Sequence, residues 1–77
     1  MRDKTSEIAV SKIIDRLSEI RKQKGISHEK LAEMTGLNRS TISLIENHKR
    51  TPTILTCFKI GRALEIKLSD LIKKVGF

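Results

Sequence analysis

The 77 residues carry 16 Lys and Arg against 9 Asp and Glu, a net charge of +7, with two Phe and no Trp or Tyr. A chain this short supports one domain with a modest core that Ile and Leu must build, and no apolar run is long enough to span a membrane. The lone Cys57 rules out an internal disulfide and fits a reducing compartment.

Residues 1–10 read as a flexible N-terminal arm, too polar at their start for a signal peptide, and residues 11–77 as the folded domain. Val10, Ile13, Ile14, Leu17 and Ile20 or Arg21 then recur at the spacing of an amphipathic helix, predicted from about Val10 to Lys24. Gly25 follows a basic run, which suits a helix C-terminus in both charge and backbone freedom. Ser27 is the expected N-cap of a short second helix that turns Leu31, Ala32 and Thr35 inward and stops at Gly36. Glu29 places an acid in its first turn, where the helix dipole favours one. Asn38 should cap a third helix, Arg39 to Glu46, with Ile42 and Ile45 as its inner stripe.

After the polar loop Asn47-His48-Lys49-Arg50, Thr51-Pro52 should open a fourth helix with proline at its first position. One face of that helix carries Cys57, Ile60, Gly61 and Leu64; another carries Ile54 and Phe58, which predicts two buried surfaces. A fifth helix is expected from about Leu68 to Lys74. Few alternating β-branched or aromatic runs occur, so the fold class is all-α, a compact domain of five helices.

Charge follows this layout unevenly. The excess of Lys and Arg lies in residues 1–24 and 48–62, while residues 25–47 are slightly acidic. Two short helices joined through Gly36-Leu37 must cross steeply, with Ala32 at the close approach and Gly36 free to take positive φ. That is the packing logic of a helix-turn-helix.

The run from Gly25 to Asn47, continued by Pro52-Thr53, Thr56 and Lys59-Ile60-Gly61-Arg62-Ala63-Leu64, resembles the phage repressor/Cro-type helix-turn-helix family. That family includes restriction–modification controller proteins and antitoxins. The resemblance covers roughly residues 12–74 and implies a lambda-repressor-like domain whose third helix enters the DNA major groove. Arg39, Ser40 and Leu44 would then face base edges. Arg39 suits guanine O6 and N7, with a phosphate contact as its other reading. Leu44, often polar in relatives, either touches a thymine methyl or marks a turn with little readout. Phosphate contacts are expected from His28, Thr41, Ser43, Asn47, Lys49 and Arg50. His28 stands where relatives usually carry glutamine, and its other reading is an exposed residue without a role. His48 replaces a common glycine.

The resemblance further implies a salt bridge between Arg21 and Glu46. One such helix reads few base pairs, so a homodimeric repressor on a two-fold symmetric duplex operator is expected, with the apolar Phe58, Ile66, Val75 and Phe77 as candidates for the dimer interface. A cytoplasmic, nucleoid-associated protein of bacterial or phage origin is expected, with no cofactor or metal. Enzymatic activity is not expected, because Cys57, His28 and His48 are the only nucleophile or base candidates and Cys57 shares a face with Ile60 and Leu64. The rival is an antitoxin or helix-turn-helix adaptor whose main partner is a toxin or another protein.

Overall fold

The computed structural model describes residues 4–76, which form five α-helices and, among the described residues, no strand. They are α1 (Lys4–Gln23), α2 (His28–Thr35), α3 (Arg39–Glu46), α4 (Ile54–Ala63) and α5 (Leu68–Lys74). α3 packs on α1 and α2, α4 packs on α2 and α5, and α5 returns to α1. Leu17, Ile20, Leu31, Ile42, Ile60, Leu64 and Leu71 meet in one core drawn from all five helices.

Two boundaries differ from expectation. α1 begins at Lys4 rather than near Val10, so residues 4–10, read as an arm, are helical. The apolar stripe starts only where α1 meets the body of the protein, and its exposed first turns leave no hydrophobic period to detect. α4 begins at Ile54, with Thr53 as N-cap accepting a hydrogen bond from the Thr56 amide at 3.1 Å. Pro52 therefore precedes the cap instead of occupying the first helical turn, because the Thr53 hydroxyl supplies the acceptor that an orphan N–H needs.

Ser27 caps α2 by accepting from the Lys30 amide at 3.0 Å. Gly36 closes the helix at φ 76°, a conformation that any β-carbon would strain, and its amide donates to the Ala32 carbonyl at 2.9 Å. Asn38 occupies the N-cap of α3 in extended backbone but makes no side-chain capping bond. Ile42 and Ile45, 0% and 3% exposed, hold α3 in place. Burying two such side chains contributes roughly 3–6 kcal/mol, enough to fix the helix although it has little more than two turns.

On α4, Ile60, Gly61 and Leu64 are buried and Cys57 is half-buried. Gly61 makes a close approach: a β-carbon there would stand 3.0 Å from the Ile66 carbonyl oxygen, so that turn would have to give by a few tenths of an ångström. The second face of α4, expected to be buried, is open within this chain. Ile54 is 71% exposed and Phe58 50%.

Candidate nucleic-acid interface

α3 presents opposite faces to the core and to the outside. With Ile42 and Ile45 buried, Arg39 and Ser40 at the N-terminal end are exposed, whereas Leu44 is half-buried on the shoulder of the helix. Arg39 shares an open cleft with Ser27, His28 and Glu29 at the start of α2 and with Arg21 of α1. At the other end, Asn47 folds back on the helix, its Nδ2 donating to the Ser43 carbonyl at 2.8 Å and to Ser43 Oγ at 3.3 Å. Arg50 Nη1 donates to Thr41 Oγ1 at 3.3 Å, bringing the loop after α3 alongside that helix. Asn47, Lys49 and Arg50 are exposed, while Thr41 and Ser43 are half-buried.

Beneath this surface lies a buried ion pair. Arg21 donates from Nε to Glu46 Oε2 at 2.7 Å and from Nη2 to Glu46 Oε1 at 2.9 Å, a two-pronged contact across which both side chains are nearly enclosed. Its Nη1 donates to the Ile26 carbonyl at 2.7 Å, so the guanidinium joins α1, the α1–α2 loop and the last residue of α3. Ser18 Oγ also donates to Glu46 Oε1 at 2.8 Å. Burial opposes ionisation of Glu46, but hydrogen bonds from Arg21, His28 and Ser18 and the Arg21 charge outweigh it and bring the carboxyl down to about 2.

His28 is placed differently from a side chain turned out to DNA. Its Nε2 lies 3.0 Å from Glu46 Oε1, so one edge of the ring is committed to the buried carboxylate. The oxygen it meets is the same one that faces Ser18 and Arg21 Nη2, a convergence that the sequence separation hides. His48 takes φ 59°, and its Nε2 lies 2.7 Å from Asp15 Oδ1 on α1. Sequence reasoning missed Ser18 and Asp15; Ser18 has the signal of standing three residues before Arg21 on α1, and Asp15 has none.

The other candidates fall elsewhere. Phe58 and Ile66 line one apolar groove between α4 and α5 together with Ile54, Leu68 and Ile72, and Val75 is half-buried outside that lining. Phe77 lies outside the described residues. Cys57 is packed among Ile14, Leu17, Ile42, Ile45 and Ile60, where burial pushes its thiol up. The nucleophile and base candidates are thus each engaged in a separate place.

A helix-turn-helix family model matches residues 17–71. The HTH-type transcriptional regulator PuuR of Escherichia coli K12 is 42% identical over 59 residues, covering 77% of this chain and 32% of PuuR. SutR of the same organism, also an HTH-type transcriptional regulator, is 36% identical over 56 residues, covering 73% of this chain and 32% of its own length. The chain therefore spans about a third of either relative. The uncharacterized HTH-type transcriptional regulator YgzD of Bacillus subtilis is 35% identical over 57 residues, covering 74% of this chain and 86% of YgzD. No solved structure matches.

Proposed function

The chain belongs to the helix-turn-helix family, whose work is not catalytic, and from that premise we propose that it regulates transcription by binding double-stranded DNA. The observation that carries this is the division of α3: Ile42 and Ile45 are buried while Arg39 and Ser40 stand exposed at the end of the helix that would meet base edges. Arg39 reads guanine through two parallel N–H bonds and Ser40 accepts several base edges; Leu44, on the shoulder, gives at most an apolar contact to a thymine methyl. Thr41, Ser43, Asn47, Lys49 and Arg50 contact the phosphates that flank the reading helix. His28, its Nε2 held by Glu46, orients the start of α2 toward the same backbone.

One such helix reads few base pairs, so we further propose a homodimer that spans two half-sites roughly 34 Å apart and represses by occupying its operator. The exposed side of α4 favours this pairing: Phe58, with Ile54 and Leu55 beside it, leaves a row of large apolar side chains in water. Ile66, Val75 and Phe77 complete the proposed interface. The same exposed row supports the second reading, in which a toxin or another protein partner covers it.

Selection of bound duplexes from a random pool tests the proposal. Recovery of a two-fold symmetric consensus, bound less tightly as salt rises, is the expected result. A pool that shows no enrichment over several rounds would overturn sequence-specific binding. Sedimentation that finds only monomer, with and without DNA, would overturn the dimer and favour the protein-partner reading.

A further inference from the structure

The segment that leaves α3 is strained and tethered at the same residue. His48 donates its amide to Ile45 O at 3.0 Å and Lys49 donates to Leu44 O at 2.8 Å, the paired bonds of a helix end that requires left-handed backbone at the residue between. The same pair of bonds closes α1, where the left-handed residue is Gly25. At the end of α3 the left-handed residue is His48, which carries an imidazole side chain at φ 59°. A residue held in that region persists where its surroundings fix it. Here they do: Nε2 lies 2.7 Å from Asp15 Oδ1, and Nδ1 lies 3.4 Å from Ser11 Oγ, one turn earlier on the same face of α1.

We infer that Asp15 and Ser11, through His48, are positioning residues that clamp the phosphate-contacting loop Asn47–Arg50 against α1. The inference rests on the DNA-binding reading above. The ring spans from the loop to two residues one turn apart on α1, so the loop is tied to the helix through a single side chain. Asn47, Lys49 and Arg50 sit on either side of the clamped residue. A loop already held in place loses less freedom when it meets DNA, so affinity follows the state of the clamp.

The test uses the whole chain and a mixed-sequence duplex, since phosphate contacts require no operator. Binding is measured at one pH and one ionic strength for the natural chain, Asp15→Asn and His48→Gly. The pair is largely exposed, at 39% and 62% of its side-chain surfaces, which sets a modest expectation. Asp15→Asn removes a negative charge and would by charge alone favour DNA, so binding about two- to fivefold weaker than that of the natural chain is the signature of the lost clamp. His48→Gly relieves the backbone, so it should melt at or above the natural temperature and yet bind DNA about two- to fivefold more weakly. A merely structural residue would not separate stability from binding in that direction. Without DNA, exchange of the Lys49 amide should be faster in Asp15→Asn.

Three results overturn the clamp: an Asp15→Asn protein that binds as tightly as the natural chain, a His48→Gly protein that does so, or unchanged Lys49 exchange. If the natural chain binds duplex DNA and these results appear, the clamp falls alone. If the natural chain fails to bind duplex DNA at low salt, the DNA-binding reading falls and the inference with it.

Discussion

Glu46→Gln removes one charge from the enclosed network and leaves its shape intact. Arg21, 8% exposed, would then be a buried cation facing an amide that offers one oxygen where the carboxylate offered two. Taking away one member of a buried pair costs about 3–5 kcal/mol. The titration of Glu46 gives an independent figure. Its carboxyl lies at about 2 against an ordinary 4.5, and each pKa unit corresponds to about 1.4 kcal/mol, so the folded state gains about 3 kcal/mol from its ionisation. Because the folded value is depressed, that stability is present above pH 4.5 and is lost as pH falls toward 2. A domain of this size has roughly 4–12 kcal/mol in all. The variant should therefore melt roughly 12–24 °C lower at pH 7, followed by circular dichroism. The gap between the two proteins should narrow as pH falls from 4.5 toward 2. Arg21→Met added to Glu46→Gln should recover part of the loss, because the stranded cation goes while its stem is replaced by an apolar one. A melting temperature within about 3 °C of the natural protein at pH 7 would refute the reasoning, and a gap independent of pH would assign the loss to packing instead of charge.

Glu65→Gly should stabilise the fold, since Glu65 is exposed and sits at φ 60°; a gain of about 0.5–1 kcal/mol by urea titration is expected, and any loss would contradict it. Arg39→Ala should leave the melting temperature within a degree or two and lower affinity for a selected duplex by about 1–3 kcal/mol, relaxing preference at one base position in each half-site. Lys49→Ala should instead weaken binding to all duplexes alike and reduce the slope of log affinity against log salt by about 1; a change in sequence preference would move Lys49 from phosphate to base contact.

The helix-turn-helix is legible in the sequence because its determinants are local. Ser27, Gly36, Ile42 and Ile45 each act on the few residues around them, and each imposes a cap, a turn or a buried stripe wherever the segment sits. The start of α1 is not legible for the converse reason: its first turns bury nothing, so no apolar period extends back to Lys4. At the start of α4 two local signals compete, a proline suited to a first helical turn and a threonine suited to a cap, and only the hydrogen bond to the Thr56 amide decides between them. The candidate site splits along the same line. That Arg39 and Ser40 face outward follows from the inward stripe. That His28 turns to Glu46, 18 residues away, and His48 to Asp15, 33 residues away, depends on how α1, α2 and α3 approach one another.

These placements separate the two tasks of α3 along its length. Its C-terminal end carries Glu46, fixed by Arg21, Ser18 and His28, and its middle carries Ile42 and Ile45 in the core. Its N-terminal end carries Arg39 and Ser40, exposed and, among the described residues, held by no ion pair or side-chain hydrogen bond within the chain. Substitutions at exposed positions of that kind usually change stability by no more than about 0.5 kcal/mol. On the proposed reading, substitutions at Arg39 and Ser40 should alter base preference while the helix that presents them stays where it is. At Glu46 no such freedom exists, because the charge that orients the helix also closes the core beneath it. A loss of DNA binding thus has opposite meanings at the two ends. With an unchanged melting temperature at Arg39 it reports readout; with a lowered one at Glu46 it reports the frame.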